Sequence, residues 1–233
     1  LSAGITGVFG ITEPAIYGVT LRFKKPFICG CIAGGVGARM GQDIPKQFIN
    51  VHDKPVIIYT LEAFQKHPQI DAIEVVCLDG WHDVLRAYAK QFGISKLENV
   101  VSGGKNGQDS IRSGLYDIAE RYKDADDVVL IHDAIRPMVS ADVITDNIRV
   151  CRQYGNAITV VPCTAAMLKT YDSLSTEEQV PRDNLKITQT PQAFFLQDIC
   201  RAHQEALDRG ITNSVASCTM YIELGRKLYM SQG

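Results

Sequence analysis

A glycine-rich turn followed by two basic residues is the part of the sequence best suited to chemistry. The turn follows the apolar run Phe27–Ile32 and contains glycines at positions 34, 35 and 37. Because glycine lets the backbone approach a ligand closely, successive N–H groups in such a turn can surround phosphate oxygens. Arg39 and Lys46 follow the turn and add two positive charges. The segment therefore predicts a site for the triphosphate of a nucleotide.

Three other interpretations of this turn explain less of it. A Walker-type phosphate loop requires Gly-Lys-Ser or Gly-Lys-Thr after its glycines, and neither is present. A dinucleotide-binding turn has a third glycine where Met40 stands, and it places no arginine against the pyrophosphate. A simple tight turn into a helix accounts for the glycines but not for Arg39 and Lys46 together.

A second glycine-rich turn, Ser-Gly-Gly-Lys-Asn-Gly-Gln-Asp-Ser, spans residues 102–110. It precedes a helical pattern, so its backbone groups and the Ser110 hydroxyl are suited to reading the edge of a base. The alternative is an ordinary connection between a strand and a helix.

A third motif, His-Asp-Ala-Ile-Arg-Pro at residues 132–137, directly follows the apolar run 128–131. The Asp133 carboxylate can hold Mg²⁺, a cation that favours one or two carboxylates together with substrate phosphates and water. Arg136 can bind a phosphate through two parallel hydrogen bonds. The alternative is a structural ion pair between Asp133 and Arg136, and His132 is expected to face the core.

An alternation of strands and helices must position these motifs. The predicted strands are residues 27–32, 73–78, 100–101, 128–131 and 157–162. The helices between them carry apolar stripes such as Ile57, Leu61 and Phe64; Ile111, Leu115 and Ile118; and Ile144, Ile148 and Cys151. This alternation predicts an α/β fold with a doubly wound, mostly parallel sheet and a ligand site at the carboxyl ends of its strands. Residues 163–189 are polar and break the alternation over a length that is unusual for a connection.

The composition excludes several function classes. A chain of 233 residues can bury one sizeable core, and one α/β domain is expected. Its net charge of −2 indicates neither a nucleic-acid-binding surface nor a polybasic membrane anchor. The seven cysteines form no Cys-x-x-Cys pair and several fall in apolar runs, which is typical of the reduced, buried thiols of a cytoplasmic protein.

The first 26 residues differ in character from the rest. They have no basic region ahead of an apolar core, as a signal peptide would, and no uninterrupted apolar run that would insert stably in a membrane. Residues 10–19 and Lys-Lys-Pro-Phe-Ile at 24–28 resemble the membrane permease component of sugar phosphotransferase systems. We therefore expect a foreign apolar extension over residues 1–26, without a function of its own, ahead of a catalytic domain over residues 27–233.

The pattern Ala-Gly-Gly-x-Gly-x-Arg-Met-Gly, followed by Pro-Lys-Gln-Phe at 45–48, resembles the 2-C-methyl-D-erythritol-4-phosphate and ribitol-5-phosphate cytidylyltransferase family. The two motifs at 102–110 and 132–137 and the segments 180–183 and 189–194 also resemble this family. The resemblance implies a Rossmann-like nucleotidyltransferase fold and the Mg²⁺-dependent transfer of CMP from CTP to a polyol phosphate, with release of pyrophosphate. It also implies a role in isoprenoid biosynthesis or in the synthesis of teichoic acid or another polysaccharide.

The resemblance assigns a role to each site residue. Residues 163–189 would form a β-arm that clasps a second subunit of a homodimer and brings Arg182 to the acceptor phosphate there. The catalytic residues would be Arg39, Lys46 and Arg182; the nucleotide-binding residues Ala33, Gly34, Gly35, Gly37, Gly104, Lys105 and Ser110; the acceptor-binding residues Asp133, Arg136 and Thr190; and the magnesium ligand Asp133.

The acceptor is left open between two polyol phosphates. The family usually has Asp-Thr where Ala165 and Ala166 stand, and that threonine contacts methylerythritol phosphate, so the departure favours a ribitol-type acceptor. Two alternatives come from other classes: a nucleotide-binding protein that has lost turnover, since a lysine that the family carries further on is absent, and a permease fragment limited to about residues 1–30.

Overall fold

The computed structural model of the protein describes residues 19–21, 27–32 and 44–233, and for the first two of these ranges it describes the backbone only. The described helices and strands alternate along most of the chain. The helices are α1 (Val56–Lys66), α2 (His82–Gln91), α3 (Gly107–Arg121), α4 (Ala141–Tyr154), α5 (Leu196–Asp208) and α6 (Ser217–Glu223). The strands of the main sheet are β1 (Val19–Leu21), β2 (Phe27–Ile32), β5 (Ile73–Cys77), β6 (Leu97–Ser102), β7 (Val128–Asp133), β8 (Asn156–Pro162), β11 (Lys186–Phe195) and β12 (Met230–Gln232). Two hairpins lie outside that sheet: β3 (Asn50–Val51) with β4 (Lys54–Pro55), and β9 (Met167–Lys169) with β10 (Glu178–Val180).

The main sheet has the strand order β12-β8-β11-β7-β2-β1-β5-β6. Strand β2 is parallel to β7 and β5, and β5 is parallel to β6. Every residue of β5 is buried, as expected for a central strand of a parallel sheet covered by helices. The predicted α/β class and the parallel segment are therefore confirmed.

Strand β11 is the main departure from the predicted topology. It runs antiparallel between β7 and β8, so the sheet is mixed at that position. Its first residues, Lys186–Thr188, pair with Val160–Pro162 although they fall within the predicted arm, 163–189. These residues are exposed and contain a single apolar side chain, Ile187, which is too little to mark a strand in the sequence.

The sheet also begins before the expected residue, Phe27. The short strand β1 is antiparallel to both β2 and β5. Residues 1–18 and 22–26 lie outside the described residues, so the foreign origin of segment 1–26 stays a prediction.

Local sequence signals fix the ends of two helices that lead away from the sheet edge. The Asn106 Oδ1 atom accepts a hydrogen bond from the Asp109 N–H at 2.9 Å and caps the start of α3. The Ser140 hydroxyl caps α4 in the same way at 3.2 Å from the Val143 nitrogen. Helix α4 ends at Gly155, whose φ of 98° is in the left-handed region that glycine adopts without strain.

The predicted apolar stripes form the core. All nine residues of the stripes on α1, α3 and α4 are at most 2 % exposed. The five cysteines in residues 44–233 are free thiols, and four of them are buried. Among the described residues, no helix combines the length and the apolar character needed to span a bilayer.

Candidate active site

Asp133 and Arg136 lie together at the carboxyl end of β7. Asp133 is the last residue of the strand, and a turn closed by a 3.1 Å hydrogen bond from the Arg136 N–H to the Asp133 carbonyl follows it. The turn brings Arg136 Nε within 2.5 Å of Asp133 Oδ2. The ion pair considered from the sequence is therefore present, and Arg136 is nonetheless 48 % exposed at the sheet edge. A half-exposed guanidinium beside a carboxylate is suited to meet both an anion and a cation.

Strand β11 brings two further polar side chains to this turn. Its pairing with β8 stops at Thr188 and resumes at Gln192, so residues 189–191 form an irregular segment beside the end of β7. The Thr190 hydroxyl accepts a 3.3 Å hydrogen bond from the Asp133 N–H. The Gln189 Oε1 atom accepts a 2.6 Å hydrogen bond from Arg136 Nη1. The structure thus places the predicted acceptor residues Asp133, Arg136 and Thr190 in one cluster.

Gln189 was not among the predicted site residues. Its position in the sequence could have suggested it, because Gln189 immediately precedes the predicted acceptor-binding residue Thr190. We call Asp133, Arg136, Gln189 and Thr190 the acceptor cluster.

Two buried side chains hold the turn of the acceptor cluster from beneath. The Thr60 hydroxyl on α1 donates a 2.7 Å hydrogen bond to the Ala134 carbonyl. His132 Nε2 lies 3.0 Å from the Arg136 carbonyl oxygen, and its ring is fully buried. Burial lowers the pKa of His132 to about 3, so the ring is neutral at physiological pH. The prediction that His132 faces the core is confirmed.

Lys46 approaches the acceptor cluster from another element. It begins the 3₁₀ helix Lys46–Phe48, which buries Phe48 and stacks its ring on Trp81 with 4.6 Å between ring centroids. Burial lowers the pKa of Lys46, and the attraction of the Asp133 carboxylate opposes that shift. This attraction indicates that the Lys46 ammonium lies close enough to interact with the Asp133 carboxylate at the end of β7.

The turn at residues 102–110 is built around the Ser110 side chain. The buried Ser110 hydroxyl accepts a 2.9 Å hydrogen bond from the Gly104 N–H and donates a 2.8 Å bond to the Asn106 carbonyl. A Cβ atom added at Gly104 would lie 2.4 Å from the Asp109 Cβ, so the turn accepts only glycine there. Ser110 therefore shapes the turn, Lys105 is exposed on it, and contact of either residue with a base stays a prediction.

The other predicted residues either lie outside the described residues or make different contacts. Ala33, Gly34, Gly35, Gly37 and Arg39 lie outside the described residues. Arg182 is exposed in the 3₁₀ helix Arg182–Asn184, where its Nη1 atom donates a 3.1 Å hydrogen bond to the Thr164 carbonyl.

The donor set at the sheet edge fits Mg²⁺ in one specific way. Within residues 44–233, no three His, Cys, Asp or Glu side chains are grouped closely enough to hold a metal by themselves. Asp133 nevertheless offers a partly exposed carboxylate among groups suited to bind phosphates. Mg²⁺ is commonly held by one or two carboxylates together with phosphate oxygens and water. Asp133 thus fits a metal that arrives with a substrate.

Comparison with known proteins shows that the chain is similar to cytidylyltransferases. Residues 28–225 match the family model described as IspD, 2-C-methyl-D-erythritol 4-phosphate cytidylyltransferase. A ribitol-5-phosphate cytidylyltransferase of Lacticaseibacillus paracasei is 41% identical over 204 residues, which is 87% of this chain and 87% of that protein. A 2-C-methyl-D-erythritol 4-phosphate cytidylyltransferase of Clostridium botulinum is 36% identical over 204 residues, 87% of this chain and 86% of that protein.

Solved structures support the same fold. The 4-diphosphocytidyl-2C-methyl-D-erythritol synthase of Anaerococcus prevotii aligns with a TM-score of 0.71 at 22% identity, covering 86% of this chain and 84% of that one. The 2-C-methyl-D-erythritol 4-phosphate cytidylyltransferase of Thermus thermophilus aligns with a TM-score of 0.64 at 24% identity, covering 81% and 84%. The described architecture is therefore shared with this group of enzymes.

Proposed function

Since the chain belongs to the 2-C-methyl-D-erythritol 4-phosphate cytidylyltransferase family, we propose that it transfers CMP from CTP to a polyol phosphate and releases pyrophosphate. The observation that carries this proposal is the acceptor cluster, with Lys46 coupled to it, at the carboxyl ends of the parallel strands. Ligands of doubly wound sheets bind at this edge.

We propose ribitol 5-phosphate as the acceptor. The ribitol-5-phosphate cytidylyltransferase of L. paracasei shares 41% of aligned residues with the chain, against 36% for the methylerythritol-phosphate enzyme of C. botulinum. Ala165 and Ala166 stand where the resemblance leads one to expect Asp-Thr, whose threonine would contact methylerythritol phosphate, and this departure favours the same acceptor. 2-C-Methyl-D-erythritol 4-phosphate is the second candidate.

The reaction mainly requires positively charged groups held in fixed positions around the reacting phosphates. The nucleophile is a phosphate monoester whose second pKa is about 6, so it is already an anion at neutral pH and needs no general base. The barrier comes from repulsion between this anion and the triphosphate and from charge that develops around the α-phosphorus. Arg39 and Lys46 would neutralise the triphosphate, while Arg136 would hold the acceptor phosphate through its guanidinium.

Asp133 would hold Mg²⁺ through its carboxylate. When bound, Mg²⁺ supplies positive charge next to the reacting phosphates. The Asp133 carboxylate also orients the guanidinium of Arg136 through the 2.5 Å contact between them. One side chain would thus position both cations around the reaction.

Pyrophosphate release tests the proposal directly. With CTP and Mg²⁺, the wild-type chain should use ribitol 5-phosphate with a kcat/KM about tenfold above that for methylerythritol phosphate, the size expected from small differences in pocket contacts. CTP should be preferred over ATP, GTP and UTP by at least about 100-fold in kcat/KM, because a site built to hydrogen-bond one base leaves polar groups unpaired with another. Equal use of all four nucleotides would contradict the cytidine assignment. Tight CTP binding without pyrophosphate release would instead indicate the nucleotide-binding protein that has lost turnover.

We also propose a homodimer in which the arm reaches the partner's site. The hairpin β9–β10 lies outside the main sheet, and the segment around it exposes three large apolar side chains, Leu168, Tyr171 and Leu174, by 63 to 94%. Exposed apolar side chains gathered on one hairpin favour contact with another protein surface. Arg182 follows this hairpin in the sequence. A dimer in which the hairpin packs against the second subunit would therefore bring Arg182 close to that subunit.

Mixing two inactive variants tests the arm proposal. Arg182→Ala and Asp133→Asn should each be inactive as homodimers. In an equal mixture allowed to exchange subunits, half the dimers are hybrids with one intact site, so activity should recover to at most about one quarter of the wild-type value. No recovery, despite hybrids detected by differential tagging, would show that Arg182 acts within its own chain.

A further inference from the structure

A buried polar group lies directly behind the irregular segment of β11. It consists of Asn147 on α4, Thr159 on β8 and Ser231 on β12, and we call these three residues the buried triad. Each of the three side chains is polar and at most 2 % exposed. Burying a polar side chain lowers the stability of the folded state unless hydrogen bonds compensate the loss of contact with water. The hydrogen-bond partners of the buried triad therefore indicate its structural role.

The contacts of the buried triad converge on one backbone atom, the Pro191 carbonyl oxygen. The Thr159 hydroxyl donates a 2.7 Å hydrogen bond to it, and Asn147 Nδ2 lies 3.2 Å away. Asn147 Nδ2 also donates a 2.8 Å hydrogen bond to the Ser231 hydroxyl. The Ser231 hydroxyl in turn donates a 3.4 Å hydrogen bond to Thr159 Oγ1. The hydrogen bonds therefore run in one direction, from the amide through the two hydroxyls to the carbonyl.

Two carbonyl oxygens, those of Ala157 and Pro191, lie within 3.3 Å of Asn147 Nδ2. Only the amide nitrogen can face carbonyls favourably, which fixes the orientation of the Asn147 side chain. Thr159 makes the shortest of the contacts with Pro191, so its hydroxyl is the main support of that carbonyl.

Pro191 lies next to the acceptor cluster, so the hydrogen bonds to its carbonyl can affect the position of that cluster. The pairing of β11 with β8 is interrupted between Thr188 and Gln192, and its pairing with β7 begins at Gln192. Proline has no N–H, so its carbonyl is the only backbone group by which this residue can be hydrogen-bonded. The next residue toward the site is Thr190, which contacts the Asp133 N–H, and Gln189 contacts Arg136.

We propose that Asn147, Thr159 and Ser231 are positioning residues for the acceptor. By fixing Pro191 they hold Thr190 and Gln189 against the end of β7, and Gln189 in turn orients the guanidinium of Arg136. This inference rests on the proposed function, because it assigns Thr190 and Arg136 to the acceptor phosphate. None of the three residues touches a substrate.

Thr159→Val tests the proposal with little change of shape. Valine is also β-branched but cannot donate a hydrogen bond to Pro191. The KM for ribitol 5-phosphate should rise about tenfold, the loss expected for one hydrogen bond of ordinary strength, while the KM for CTP stays unchanged. Thr159→Ser keeps the hydroxyl and should restore the wild-type KM. Ser231→Ala, which removes an outer member of the buried triad, should give a smaller change in the same direction.

Thr145→Val is the matched control. Thr145 lies on the same helix as Asn147 and donates a 2.9 Å hydrogen bond to the Ala141 carbonyl, away from Pro191. A purely structural role predicts that Thr159→Val and Thr145→Val lower the unfolding temperature and change both KM values alike, and this result would overturn the proposal. An unchanged acceptor KM in folded Thr159→Val would also overturn it.

A readout without turnover separates the two proposals. Because the Asp133 N–H donates to the Thr190 hydroxyl, its hydrogen exchange should be faster in Thr159→Val than in the wild type. Should Thr159→Val fail to fold, the same measurement on Ser231→Ala applies. A wild-type chain without pyrophosphate release would contradict the proposed function, whereas unchanged exchange at Asp133 would contradict the role of the buried triad.

Discussion

Asp133→Asn should lower the kcat of CMP transfer by about 10²- to 10³-fold, the usual cost of removing one preorganised electrostatic element. Asparagine has nearly the same shape as aspartate and still offers an oxygen to Arg136 Nε, so the turn after β7 should persist. What the variant loses is the negative charge that would hold Mg²⁺. The Mg²⁺ concentration that gives half the maximal rate should therefore rise together with the loss in kcat, and steady-state kinetics at several Mg²⁺ concentrations measures both.

Asp198→Asn is the matched control for this experiment. Asp198 and Arg201 form an ion pair with the same three-residue spacing, but it lies on the exposed face of α5. Exposed pairs contribute little free energy, so this variant should keep its activity and its Mg²⁺ dependence. Activity of Asp133→Asn close to that of the wild type would mean that the metal is held elsewhere.

The parts of the fold that depend on local sequence were predictable. Apolar residues at helical spacing, such as Ile144 and Ile148, mark the buried face of a helix wherever it packs. The motif at 132–137 could be placed at the sheet edge because it follows a short apolar run, and parallel strands carry their ligands at that end. Both inferences need only a few consecutive residues.

Strand β11 shows why other parts were not predictable. Its antiparallel position between β7 and β8 depends on partners about 30 and 60 residues away, at Val161 and Leu130 for example. Its first three residues are exposed, so no buried apolar side chains mark them as a strand in the sequence. The contact of Gln189 with Arg136 follows from the same long-range pairing.

The buried triad was hidden for a related reason. Asn147, Thr159 and Ser231 belong to three different elements. A single polar residue in a helix or strand has no local pattern that points to a partner in another element. Only the packing of α4 against β8 and β12 reveals that all three serve the Pro191 carbonyl.

Lys46→Met should lower kcat/KM for CTP by about 10²- to 10³-fold, because the variant loses a fixed positive charge that would face the triphosphate. Methionine keeps an unbranched apolar stem, so the contacts of the lysine methylene groups are largely retained. Burial lowers the pKa of Lys46, which means that the folded state disfavours its charge. The variant should therefore unfold at the wild-type temperature or slightly above it while losing activity.

Lys54→Met separates this effect from a general loss of surface charge. Lys54 lies on β4, and its Nζ atom forms a 2.7 Å ion pair with Glu62 on α1. Its replacement should leave kcat/KM for CTP within about twofold of the wild-type value, as expected of a partly exposed ion pair that includes none of the predicted site residues. Equal losses in the two variants would show that net charge, and not the position of Lys46 beside Asp133, governs CTP use. A large loss in Lys46→Met alone, without a lower unfolding temperature, assigns the charge to catalysis.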